Sequence, residues 1–152
     1  MKWIQVRSAF WLAIVVHAGA FAQVPVRPGK WELTGAYKGL PFGGDAERVR
    51  TICLSAEALG PVPEKTLIEA SPPPSDDTSK PAPKCDYSPV RRDGPKSSWE
   101  ITCTNPTLTG AGSAIFISPE QVDLSEALEL KMGFAARSIQ HTVRARRVGD
   151  CS

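Results

Sequence analysis

The chain has 152 residues, four cysteines and a formal charge of +2, and the two excess cations, Lys2 and Arg7, both lie in its first seven positions. From Gln23 onward acidic and basic side chains balance, which excludes the broad cationic footprint with which nucleic-acid binders neutralise phosphates. What remains is long enough for one domain around one core.

In chain order, Lys2 and Arg7 form a charged head, Ala9 to Val16 an apolar middle and Ala20-Phe21-Ala22 a small-x-small end. This reads as a secretory signal over residues 1–22, cut before Gln23. Gln23 stands where a lipoprotein needs a cysteine, and no later apolar run reaches membrane-spanning length. The expected location is therefore periplasmic or secreted, with no membrane span after cleavage. Thiols oxidise there, and an even set of Cys53, Cys85, Cys103 and Cys151 in a small exported domain predicts two disulfides.

Beyond the signal the dominant period is two. Trp31, Leu33, Gly35 and Tyr37 alternate with Lys30, Glu32, Thr34 and Ala36, and Trp99, Ile101 and Cys103 alternate with Ser98, Glu100, Thr102 and Thr104. Each pattern predicts a half-buried strand. Further strands are expected over Glu47 to Leu54, Cys85 to Arg91, Gly110 to Ser118, Val122 to Met132 and Arg137 to Val148. Ser55 to Gly60 reads as one helical turn, with Ser55 as N-cap, Glu57 in the first turn and Gly60 as the stop.

Between Gly60 and Lys84 lie half of the fourteen prolines, mixed with Ser, Asp, Glu and Lys. Such composition predicts a flexible loop over residues 60–84, a ligand lid or, more simply, a tolerated surface insertion. Ser118-Pro119-Glu120-Gln121 resembles a helix capping box. Yet Val122, Leu124, Leu128, Leu130 and Met132 share a face only at period two, which favours strand. Seven short strands with almost no helical pattern give an all-β fold, a single antiparallel meander curled into an open or closed barrel. Trp31, Leu33, Trp99 and Ile101 belong to its inner face.

If Asp93-Gly94-Pro95 is a three-residue hairpin loop, Arg92 faces Lys96 and the register runs on to place Tyr87 against Ile101 and Cys85 against Cys103. Directly opposed residues at a non-hydrogen-bonded site are close enough for a disulfide. Cys53 would then join Cys151, although two other connectivities remain open. Zinc ligation is the rival use of four cysteines, but none are spaced C-x2-C to C-x4-C, so no metal is expected.

Catalytic patterns are sparse. His141 is the only histidine after the signal, no G-x-S-x-G elbow accompanies it, and a lone histidine on a strand is usually structural. A hydrolase around it would require a hydroxyl or carboxylate within hydrogen-bond reach. Glu57, Glu120, Glu126 and Glu129 could in principle pair as glycosidase carboxylates, but exposed acids on strands explain them better. No nucleotide, haem or redox motif occurs, so no cofactor is expected. Glu126 interrupts the apolar face of its strand; it either meets an arginine in a ligand cavity or sits at a wet barrel mouth. Arg137, Arg144, Arg146 and Arg147 enrich the last strand, as an anion-binding patch or as guards against edge-to-edge pairing.

Pro28-Gly29-Lys30-Trp31-Glu32, Cys53-Leu54-Ser55, Cys85 with Trp99 and Cys103, and the ending Arg147-Val148-Gly149-Asp150-Cys151 together resemble a bacterial exported family, domain of unknown function 3617. The resemblance spans about Pro28 to Cys151. It departs at Lys30, where an apolar residue is usual, in the proline-rich insertion, and in the acidic Val122 to Leu130. It implies an exported, disulfide-bonded β domain and carries over no reaction, ligand or catalytic residue. The expectation is thus a non-catalytic domain binding a small amphipathic ligand inside the curled sheet, with Trp31, Trp99, Glu126, Arg144, Arg146 and Arg147 as candidate contacts. The alternatives are an envelope protein-interaction or structural module and, last, a small hydrolase using His141.

Overall fold

A computed structural model describes residues 25–41, 45–74 and 84–152, so the signal segment lies outside the described residues. The period-two stretches become strands: β1 (Gly29–Lys38), β2 (Ala46–Leu54), β3 (Lys84–Tyr87), β4 (Arg91–Asp93), β5 (Lys96–Thr104), β6 (Leu108–Ser118), β7 (Gln121–Met132) and β8 (Ala135–Gly149). All pair antiparallel in one curled sheet of order β2-β1-β8-β7-β6-β5-β3, with β4 also on β5. Alternation along β5 is strict, with Ser97, Trp99, Ile101 and Cys103 buried and their neighbours exposed. The strand reading of Val122 to Met132 holds. Ser118-Pro119-Glu120-Gln121 makes the tight turn before it, with the Glu120 amide donating to Ser118 Oγ at 3.2 Å.

The described residues form eight strands where the sequence suggests seven. Cys85 to Arg91 is not one strand, because Pro89 has no amide to give to β5. The hairpin turn is also shorter than expected: Asp93 pairs with Lys96, leaving Gly94 and Pro95 as a two-residue loop. Register therefore differs by one residue between β4 and β3, and Ser88 to Val90 absorb the difference. Below that irregularity Tyr87 faces Ile101 and Cys85 faces Cys103, as expected. Both disulfides form as anticipated, Cys85 to Cys103 and Cys53 to Cys151.

The larger correction concerns residues 60–74 of the loop expected over 60–84; residues 75–83 lie outside the described residues. The β1–β2 hairpin docks against β8 at one side of the sheet, whereas β3 lies at the other side, so the chain must cross between them. The described part of this crossing, residues 55–74, lies over the inner face. α1 (Ala56–Leu59) is the expected capped turn, with Ser55 Oγ accepting from the Ala58 amide at 3.1 Å. After it comes α2 (Pro63–Ala70), eight residues where a loop is expected. Proline at the first helical position loses no hydrogen bond there. Glu64, Leu67 and Ile68, at the i, i+3, i+4 spacing of one helix face, are buried against the sheet. Leu67 and Ile68 belong to the same core as Trp31, Leu33, Trp99, Phe116, Val122 and Val143. The crossover thus fills the hollow of the half-barrel.

Candidate functional site

Beneath the C-terminal end of α2 one ladder row of the inner face turns polar. Register sets Trp99 opposite Gly112, Gly112 opposite Glu126, Glu126 opposite His141, and His141 opposite Tyr37. Gly112 is required here, since a Cβ at that position would overlap the Trp99 indole. Glu126 and His141 are each 4% exposed, and His141 Nδ1 lies 2.9 Å from Glu126 Oε2. The imidazole stacks on the Tyr37 ring at 4.2 Å, 6° from parallel. From the helix side, Ser71 Oγ approaches His141 Nε2 at 3.4 Å, and Tyr37 donates to the Pro72 carbonyl at 3.1 Å.

This overturns the expectation for Glu126. The carboxylate stands neither at a wet barrel mouth nor against an arginine; the cross-strand imidazole pairs with it inside the core. A signal for this was present, because a two-residue turn at Gly133-Phe134 fixes the β7–β8 register and brings Glu126 to His141. Ser71 and Tyr37 carried no such signal, as only the crossover brings Ser71 to the row. Nor did Glu64, which is fully buried at the other end of α2 and accepts from Arg92 at 3.0 Å. The helix is therefore pinned at both ends by polar contacts.

Burial pushes the Tyr37 phenol up to about 12, with the nearby Glu126 charge adding and the Ser71 hydrogen bond opposing. Tyr87 rises to about 12 for the same leading reason, with Glu126 and then Glu69 adding to it.

Ser71, His141 and Glu126 have the residue types of a hydrolytic triad, and His141 does have both a hydroxyl and a carboxylate in reach. Ser71 has one hydroxyl proton and two acceptors near it, the Ile68 carbonyl at 2.7 Å and His141 Nε2 at 3.4 Å. A general base needs that proton directed at the imidazole, and the carbonyl is the nearer of the two. An oxyanion hole commonly uses the amide after the nucleophile. Here Pro72, Pro73 and Pro74 follow, none with an N–H, and the Ser71 amide itself bonds Ile68. What these contacts do is tie the crossover to β1 and β8, and β8 to β7.

The remaining sequence candidates scatter. Trp31 is fully buried, its Nε1 donating to the Arg27 carbonyl at 3.1 Å, and Trp99 is core. Arg144 and Arg146 project from the outer face, beside Asp123 and Glu32 respectively in register. Arg147 turns away from them: it pairs with Asp150 and donates from Nε to the Pro28 carbonyl at 2.8 Å. These arginines do not guard an edge, because β8 lies between β1 and β7. On the outer face a shallow groove of about 360 Å³ is lined by Ser113, Ser125, Thr142, Asp123, Arg144 and Ile115. Among the described residues no His/Cys/Asp/Glu group is placed to hold a metal ion, and no helix is long and apolar enough to cross a membrane.

Fold and site together define a small disulfide-stapled β domain, a curled sheet whose hollow is filled by its own crossover. The family described as "Protein of unknown function (DUF3617)" matches residues 26–151, and the chain belongs to it. Neither a curated protein nor a solved structure matches the chain.

Proposed function

We propose that the protein works outside the cytosol as a non-catalytic β domain that recognises an extended segment of an envelope protein on the outer face of its sheet. The observation that carries this reading is the occupied inner face. Leu67 and Ile68 of α2 fill the hollow where a small amphipathic ligand would have to lie, and polar contacts at both ends hold the helix there. Two disulfides support an oxidising location, in line with the signal read over residues 1–22. The outer groove supplies hydroxyls, a carboxylate and a guanidinium beside exposed Ile115, a mixture suited to a polypeptide.

A photo-crosslinker placed at Ser125, in the floor of that groove, tests the reading in cells. A defined protein adduct that disappears with Arg144→Glu is the expected result. A small molecule retained through native mass spectrometry, with no adduct from Ser125, would overturn it in favour of an inner ligand site.

A further inference from the structure

The β7–β8 hairpin ends on a two-residue turn, Gly133-Phe134, with Gly133 at φ 60°. Turns favour polar residues, yet Phe134 is fully exposed, Met132 is 39% exposed, and Ala135 and Ala136 are exposed beside them. One exposed apolar side chain is ordinary; a run from Met132 to Ala136 on a protruding tip, bracketed by Lys131 and Arg137, is a pattern. Register adds a third cation. Lys84 pairs with Thr104, and the Lys131 amide bonds the Thr107 carbonyl at 3.1 Å, which brings Lys84 and Lys131 to the same level of the sheet.

The three ladder rows of β3 and β5 to β8 nearest the tip thus carry Lys84, Lys131 and Arg137, with no acid among their described residues. Asp86 and Glu129 enter only in the fourth row. The far end of the sheet is the reverse, for there Arg27 pairs with Glu120 at 2.8 Å and Arg147 with Asp150.

We propose that this tip docks on an anionic phospholipid surface, Phe134 entering the boundary between headgroups and acyl chains while Lys84, Lys131 and Arg137 meet the phosphates. An amphipathic element combining an apolar insertion with flanking cations is what such a surface binds. A protein partner is the weaker fit, because a stable protein interface needs roughly 800 Å² on each side and a two-residue turn presents far less. The tip is separate from the outer groove, so either site can fail without the other. Docking of this kind requires no membrane-spanning segment.

Co-sedimentation of the oxidised protein with phosphatidylglycerol vesicles, against phosphatidylcholine vesicles, is the test. Binding to the anionic vesicles alone is expected at about 0.15 M salt, weakening as salt rises. Phe134→Ser should weaken it about tenfold, and Lys131→Glu at least about fivefold. Because both side chains are exposed, the unfolding midpoint of each variant should stay at the wild-type value, which separates lost docking from lost folding. Equal binding to both vesicle types, no binding to either, an undiminished Phe134→Ser variant, or a Phe134-dependent protein complex without vesicle binding would each overturn the proposal.

Discussion

The two faces of β8 make opposite use of the same strand. Inward, Ile139, His141, Val143 and Ala145 are buried; outward, Gln140, Thr142, Arg144 and Arg146 are exposed. Inside, the polar residues pair with one another, His141 lying against Glu126 from the neighbouring strand and meeting Ser71 from the crossover. Outside, charges face charges across the ladder in water, where such pairs contribute little. Burial, not polarity, decides whether a charged side chain on this sheet must find a partner inside the protein or can be left to water.

The disulfides provide the sharpest exception. Cys53 and Cys151 are exposed, whereas Cys103 is buried and Cys85 half-buried. If burial ranked the staples, the inner one would matter more; chain entropy ranks them by span, 98 residues against 18. The double variant Cys53→Ser/Cys151→Ser should lose about 4 to 5 kcal/mol, and Cys85→Ser/Cys103→Ser about 3 kcal/mol, measured by urea unfolding. Mild reductant followed by alkylation and peptide mapping should nevertheless label Cys53 and Cys151 first, because they are accessible.

Breaking the inner polar row comes next. His141→Leu leaves the Glu126 carboxylate buried without its partner, a defect of about 3 kcal/mol or more, and adding Glu126→Leu should restore most of the loss. A double variant as unstable as the single one would show that the pair itself, not its removal from water, supports the fold. An effect confined to alkaline pH follows from the phenols. Tyr37 and Tyr87 are the chain's two tyrosines, both pushed from 10 to about 12. A folded-state value raised in this way contributes stability that is complete below pH 10 and is lost as pH rises towards 12. Phenolate absorbance of the folded protein should therefore rise near pH 12, with the thermal midpoint falling between pH 10 and 12. Outside, Arg144→Ala should change stability by no more than about 0.5 kcal/mol; a larger loss would mean that the outer face is also committed to folding.

How much of this was legible follows the physics of range. The strands were readable because alternation is local, and the Cys85 to Cys103 pair because a hairpin carries register over a short distance. The sequence pattern makes the turn between β4 and β5 one residue too long, yet the cysteines still match, since Pro89 forces a compensating slip. The helix is hidden because the crowded prolines of residues 60–84 obscure a single favourable one, Pro63, placed where a helix tolerates it. The inner row stayed hidden for a different reason. Its members come from β1, β7, β8 and the crossover, and only the assembled sheet brings them together.

The strand order carries a consequence for biosynthesis. β1 is made first, but one of its two neighbours, β8, is made last, and Cys53 waits 98 residues for Cys151. A chain emerging from its N-terminus presents the β1–β2 hairpin with one flank bare until nearly everything else has appeared. Cys85 and Cys103, 18 residues apart, can meet early, whereas the bond from Cys53 can close only once Cys151 has been made. The last strand and the long-span disulfide therefore complete the sheet together.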